Sequence, residues 1–351
     1  MKKKLLSVLM AAVMVAGVGG VGAAQVKADD EKILGAGIYS ASDNFNSYIG
    51  KAITNACDGI FKTNIEDGQN DQSTQNNQVD TMLAKGASVV AVSVCDVTAA
   101  PTLIQKCKDA GNVPIIFFNK EITDYDVINS YENAYQVTST GGDYGASIQA
   151  QMVIDYWKEH PEMDKNGDGK LQLVYLMGDP GHTASQPRCD YLKSTIEDAG
   201  IEIDLLAEDT GMWVTATAKE KMDAWVSKYG DEIECCVAGN DAMALGALSA
   251  VEAAGFNTDG EESSKYIPIY GIDALPEILS KIESGEITGS VLQDAKTQGQ
   301  TIVKMAENLT SGKDAVDGIE GVEMEEEAKA VRVPYQAITK DNLDLAKSTY
   351  E

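Results

Sequence analysis

The sequence predicts an α/β protein built from two doubly wound parallel lobes with a cleft between them. Three observations carry this. Short β-branched runs alternate with stretches of helical period, which implies parallel strands covered by helices on both faces. The rhythm persists through residues 29–351, more chain than one such sheet comfortably holds. Polar side chains with planar hydrogen-bonding heads stand where the apolar runs stop, and in such sheets ligands bind at the carboxyl ends of the strands.

From the start of the chain, residues 1–28 read as an export signal. Lys2, Lys3 and Lys4 precede a short apolar run, 5–18, and small residues come after it, with cleavage contexts at Ala24 and Ala28. The run is short for a membrane span. No Cys precedes Cys57, so no lipid-anchored cleavage site is expected. The net charge is −27, and removing the four lysines of residues 1–28 takes it to −31. Such a chain repels nucleic acid and anionic lipid surfaces. The acidic run EMEEEAK around Glu325 reads as a solvated face.

Strands are expected at 33–39, 87–96, 113–119, 171–178, 201–207, 235–239, 266–273 and 290–294. Helical patterns lie between them in QNNQVDTMLAKG, CDYLKSTIEDAG, TAKEKMDAWVSKYG and DAMALGALSAVEAAG. The strand ends are polar. The first leads into SASDNF, with Asp43 and Phe45, and the third ends in FFNKE, with Asn119 and Lys120. The fourth leads to His182 in PGH, with Arg188 a turn later, and Trp213 comes after the fifth in DTGMW. The last three end at Asn240 and Asp241, at Asp273, and at Gln293 and Asp294.

That inventory suits a monosaccharide. Sugar hydroxyls are donors and acceptors at once, and acids, amides, Arg and His satisfy them in partly bidentate arrays. The C–H faces of the ring stack on aromatics, for which Phe45 and Trp213 supply one wall each. An Asx at a strand end also caps the following helix, and Asn240 or Asp241 fits that role too.

The nonapeptide DKNGDGKLQ, residues 164–172, points to a cation. Asp164, Asn166, Asp168 and Gln172 offer side-chain oxygens at alternate positions, Lys170 offers a backbone carbonyl, and Gly169 permits the sharp turn. An EF-hand closes with a bidentate Glu at its twelfth position, where this chain has Tyr175. Residues 171–178 read as a strand and not as an exit helix, so a further carboxylate must come from elsewhere in the fold. The pattern is that of Ca²⁺ as a structural clamp. The six cysteines match neither a zinc site nor a redox pair, and Cys95, Cys235 and Cys236 lie in strand-like apolar runs, so buried free thiols are expected.

With these residues assembled, the chain resembles the galactose/glucose-binding proteins of bacterial ABC transport. SDNF, NDQS near Asn70, FFNKE, DKNGDGKLQ, PGH, the MW of DTGMW, KMDAW, NDAMA, GIDALPE and VRVPY recur in order, so the likeness spans residues 33–345. The resemblance implies a type I periplasmic-binding-protein fold, with two Rossmann-like lobes joined by three crossovers and closing around one hexose. It implies a signal at 1–28, an N-terminal lobe of 29–138 plus 293–331, and a C-terminal lobe of 139–292 plus 332–351 carrying the calcium loop. It puts the missing carboxylate of that loop on Glu234. Sugar contacts carry over onto Asp43, Phe45, Asn119, His182, Arg188, Trp213, Asn240 and Asp273. Two positions depart: Ala184 stands where the family has an Asp, and Gln293 where it has an Asn. The implied partners are a monosaccharide, the membrane subunits of an ABC permease and a chemoreceptor, for a monomer held in the periplasm or envelope space.

Other readings remain open within the binding class: a receptor for a pentose, a glycoside or another polyol, or a sensor subunit without transport. An exported calcium-dependent glycosidase would need two carboxylates across the sugar bond, for which Asp43 and Asp273 are the candidates. Stacking on both faces leaves little room for an attacking water, so no enzyme is expected.

Overall fold

Along the chain run β1 (Ile33–Ile38), α1 (Asn44–Ala56), β2 (Lys62–Asp67), α2 (Gln72–Ala84), β3 (Val89–Val92), α3 (Ala100–Asp109), β4 (Ile115–Phe118), α4 (Tyr125–Asn129) and β5 (Ala134–Ser139). Next come α5 (Gly142–Glu159), β6 (Lys170–Met177), α6 (Ser185–Asp198), β7 (Glu202–Thr210), α7 (Thr215–Tyr229), β8 (Cys235–Ala238), α8 (Asp241–Ala253), β9 (Ile269–Asp273), α9 (Pro276–Glu283) and β10 (Gly289–Leu292). The chain finishes with α10 (Ala295–Thr310), β11 (Glu323–Glu325), β12 (Ala330–Val333), β13 (Gln336–Ile338) and α11 (Leu343–Tyr350). This computed structural model describes residues 32–139, 141–261, 263–320 and 323–350. The export signal expected at 1–28 lies outside the described residues.

Two sheets result. The first has the order β2-β1-β3-β4-β5-β12-β11 and the second β7-β6-β8-β9-β10-β13. Pairing is parallel throughout except at the edges, where β11 and β13 run antiparallel to their neighbours. Both sheets have the doubly wound order, reversing beside β1 in the first and beside β6 in the second, the places where such sheets open a crevice.

Alternate residues of each strand face opposite layers, so each sheet separates two apolar clusters. In the first, Leu34, Ala36 and Phe118 join Ile49 and Ile302 on one face, while Val90, Val92 and Phe117 join Leu103 on the other. In the second, Val174 and Cys236 pack with Met243 and Ile278, while Leu173, Tyr175 and Cys235 pack with Leu192. The adjacent Cys235 and Cys236 thus fall on opposite faces. All six cysteines are unpaired, and burial pushes the Cys57 and Cys95 thiols up to about 11 and the Cys107, Cys189 and Cys236 thiols to about 12.

The chain passes between the sheets after β5, after β10 and after β12. Helix α10 comes after the second sheet's β10 yet packs on α1 of the first lobe, so closely that a Cβ on Gly299 would meet that of Ala52 at 2.6 Å. The third passage lies at Pro334 and Tyr335, two residues beyond the boundary expected at 331/332. The reason is that β12 stays paired with β5 through Val333 and Ser139. No helix among the described residues is long and apolar enough to cross a membrane.

Candidate functional site

The carboxyl ends of both sheets face one cavity of about 570 Å³, within the usual size range of small-molecule sites. All nine residues expected at a sugar site line it. Asp43, Phe45 and Asn119 come from the first lobe, His182, Arg188, Trp213, Asn240 and Asp273 from the second, and Gln293 from the passage between β10 and α10. Ala184 lines it as well.

Each is set there by local structure. Asp43 caps α1, its Oδ1 accepting from Asn46 N at 2.8 Å. Asn240 caps α8 in the same way, accepting from Met243 N at 3.0 Å, so the capping role and the cleft position coincide. Asn119, Trp213 and Asp273 adopt left-handed backbone, with φ of 64°, 63° and 126°. Such conformations are unfavourable for side-chain-bearing residues and gather at functional sites. Gly178 makes room for Trp213: a Cβ there would come within 2.0 Å of the indole ring.

Three buried polar atoms around the cavity have no hydrogen-bond partner: Asn119 Oδ1, Arg188 Nε and Trp213 Nε1. Buried polar groups are normally paired, so these await something that can accept and donate. Arg188 is otherwise tightly held. It donates through Nη1 to the Gly239 carbonyl at 2.6 Å and through Nη2 to Gln293 Oε1 at 3.0 Å and Tyr335 Oη at 3.1 Å. Its guanidinium lies 5.6 Å from the centre of the Trp213 ring, and His182 meets that ring edge-on at 5.4 Å.

His182 keeps an edge open to the cleft. Burial first, then the charges of Lys120 and Arg188, hold its imidazole well below the usual value. Ala184 N donates to Nδ1 at 3.1 Å, which places the proton of the neutral ring on Nε2. Lys120, also lowered by burial, sits 4.1 Å from the Tyr39 ring centre and donates to the Cys95 carbonyl at 2.8 Å. Tyr39 and Tyr335, which sequence reasoning left unassigned, line the same cavity.

The DKNGDGKLQ loop lies at the opposite, amino edge of the second sheet. Its last residues open strand β6, and the rest of that strand, 173–177, about 16 Å long, separates it from the cleft. Asp164 accepts from Gly167, Asp168 and Gly169 N–H groups at 2.8–3.1 Å. Glu234 is brought to the loop from the start of β8, its two oxygens accepting from Lys165 N at 2.7 Å and Gln172 N at 3.0 Å. Asp168 accepts from the Asn166 and Gln172 amides at 3.0 and 2.9 Å. Gln172 Oε1 is buried without a partner. Gly167 and Gly169 supply the positive φ that the loop turns need. Among the described residues no three His, Cys, Asp or Glu side chains gather as a metal cluster. The oxygen set here includes two amides and a carbonyl, a donor chemistry suited to a hard cation.

Two doubly wound lobes that present unpaired polar groups and aromatic walls to a shared cleft define a receptor for a small polar ligand. Residues 36–314 match the family model described as a periplasmic binding protein domain. The D-galactose/methyl-galactoside binding periplasmic protein of Haemophilus influenzae is 42% identical over 313 residues, covering 88% of this chain and 90% of that one. A putative rhizopine-binding protein of Rhizobium meliloti is 29% identical over 306 residues, covering 85% and 88%. Among solved structures, an ABC transporter solute-binding protein from Bacillus halodurans with bound myo-inositol superposes with a TM-score of 0.72 at 27% identity, covering 91% of this chain and 98% of that one. The chain belongs to the periplasmic binding protein family. It is a binding protein and not an enzyme.

Proposed function

We propose that this chain is the extracytoplasmic receptor of an ABC sugar transporter, taking D-galactose, D-glucose or a simple galactoside and delivering it to a membrane permease. The observation that carries the reading is the set of unpaired, buried Asn119 Oδ1, Arg188 Nε and Trp213 Nε1 around one cavity whose walls include Phe45. A pyranose offers hydroxyls to the first group and C–H faces to the second. The 42% identical relative, named for D-galactose and methyl-galactoside, supports the choice of sugar. Contacts from both lobes favour a closed form over an open one, which is how binding becomes a signal to the permease, and to a chemoreceptor where one is present. The family supports a periplasmic location for the exported monomer.

We propose in addition that the second lobe carries Ca²⁺. Asp164, Asn166, Asp168, Gln172 and Glu234 would hold it with the Lys170 carbonyl, and the unpartnered Gln172 Oε1 supports this. The ion would offset three carboxylates and brace the loop, with no part in sugar contact.

Calorimetric titration with D-galactose, D-glucose, methyl β-D-galactoside and myo-inositol tests the sugar reading. One-to-one binding of a hexose or its methyl glycoside is expected. Binding of myo-inositol alone would move the assignment to a cyclic polyol, and silence from all four would end it.

A further inference from the structure

Beneath the cleft lies a carboxylate that does not line it. Asp241, the first residue of α8, is completely buried. Its Oδ2 accepts from Leu275 N at 2.8 Å and its Oδ1 from Ser290 Oγ at 2.6 Å. Ser290 Oγ in turn accepts from Ala274 N at 3.1 Å. Both backbone N–H groups after Asp273 therefore end on one side chain, one directly and one through a serine.

The turn they belong to is strained. Asp273 and Ala274 have φ of 126° and 50°, and neither is glycine. Residues held in such conformations persist only where the surroundings over-determine them. Gly271 shows how closely the carboxylate is fitted: a Cβ there would stand 2.2 Å from Asp241 Oδ1. This arrangement puts the Asp273 side chain at the cavity.

We propose that Asp241 is a positioning residue for ligand recognition: its buried carboxylate, with Ser290, holds the 273–275 turn in the backbone that presents Asp273 to the sugar. The inference rests on the sugar-binding reading of the cleft. The charged neighbours agree with a role through the turn. Asp273 from β9, Glu277 from α9 and Arg188 from α6 face Asp241, and burial first of all pushes its carboxyl up to about 7. Asn is a fair substitute in shape: its oxygen can face Leu275 N while its amide donates to Ser290.

The test is titration of D-galactose, carried to high sugar concentration, into the full mature chain and into Asp241→Ala, Asp241→Asn, Ser290→Ala, Asp273→Ala and the Asp241→Ala/Asp273→Ala pair, each checked by thermal melting. Asp241→Ala is expected to weaken binding at least tenfold, Ser290→Ala about threefold, and Asp241→Asn less than threefold. Added to Asp273→Ala, the Asp241 change is expected to cost less than twofold, since it acts through a side chain already removed. Full additivity in the pair, or Asp241→Asn as damaging as Asp241→Ala, would overturn the proposal. If Asp241→Ala does not fold, Ser290→Ala decides alone, and wild-type affinity there sinks the idea. Wild-type protein that binds no sugar overturns the cleft reading itself and takes this inference with it, an outcome the parent titration identifies ahead of any variant.

Discussion

The cleft and the DKNGDGKLQ loop stand at opposite edges of one sheet, and they are unfinished in different ways. Around the cleft, donors and acceptors lack partners: Asn119 Oδ1, Arg188 Nε and Trp213 Nε1. In the loop nearly every oxygen already accepts an N–H, and what remains is excess negative charge with a lone amide oxygen, Gln172 Oε1. Under the proposed function the first would gain hydrogen bonds from a ligand and the second a cation. On that proposal a neutral ligand completes one and a cation the other. The two sites should therefore respond to different perturbations, and three measurements bear on that division.

The largest effect is expected from Trp213→Ala. Losing an aromatic wall and an indole donor should weaken sugar binding about 100-fold, roughly 3 kcal/mol, while the calcium response stays intact. Affinity within threefold of wild type would mean that the ring is not a wall of the site. Chelation comes next. A bound ion at 100 times its dissociation constant stabilises by about 2.7 kcal/mol, so removing Ca²⁺ should lower the melting point by a few degrees. Sugar affinity at 25 °C should change less than about twofold, because β6 lies between the sites. A melting point indifferent to chelator would remove calcium from the account.

The smallest effect concerns pH. His182 titrates lower when folded than when unfolded, burial being the main cause. Below about pH 6.5 the unfolded chain therefore binds more protons, and stability falls as pH drops. The loss on going to pH 5 should be visible as the difference between wild type and His182→Gln. Between pH 8 and 7 the two should show the same pH dependence. A stability curve of His182→Gln that parallels wild type down to pH 5 would contradict the depressed value.

Much of the fold and of the cleft was legible in the sequence, and the gaps have physical causes. Cleft residues announced themselves because charge or amide comes directly after an apolar run, as at Asn119, Asp273 and Gln293. Strand β2 escaped notice because KTNIED is a half-exposed edge with little apolar content. Strand β5 escaped because Gln136 and Thr138 are buried in it. The Gln136 amide is satisfied by the backbone of Ile122 and Ala328, partners that no local pattern reveals. Tyr39 and Tyr335 look like core aromatics in one dimension. Asp241 looked like a cap, whereas Asn240 caps α8 and Asp241 reaches 34 residues along the chain to Leu275.

Arg188 lines the cleft with its Nε buried and unpartnered, while its Nη2 joins Gln293 and Tyr335, which sit in two of the three passages of chain that connect the lobes. Under the proposed function, ligand recognition and the connections between the lobes share one guanidinium. Replacing this arginine to retune the pocket would also remove its bonds to two of the connections between the lobes. Specificity is better redesigned from Ala184, whose methyl side chain ties no pocket wall to those passages.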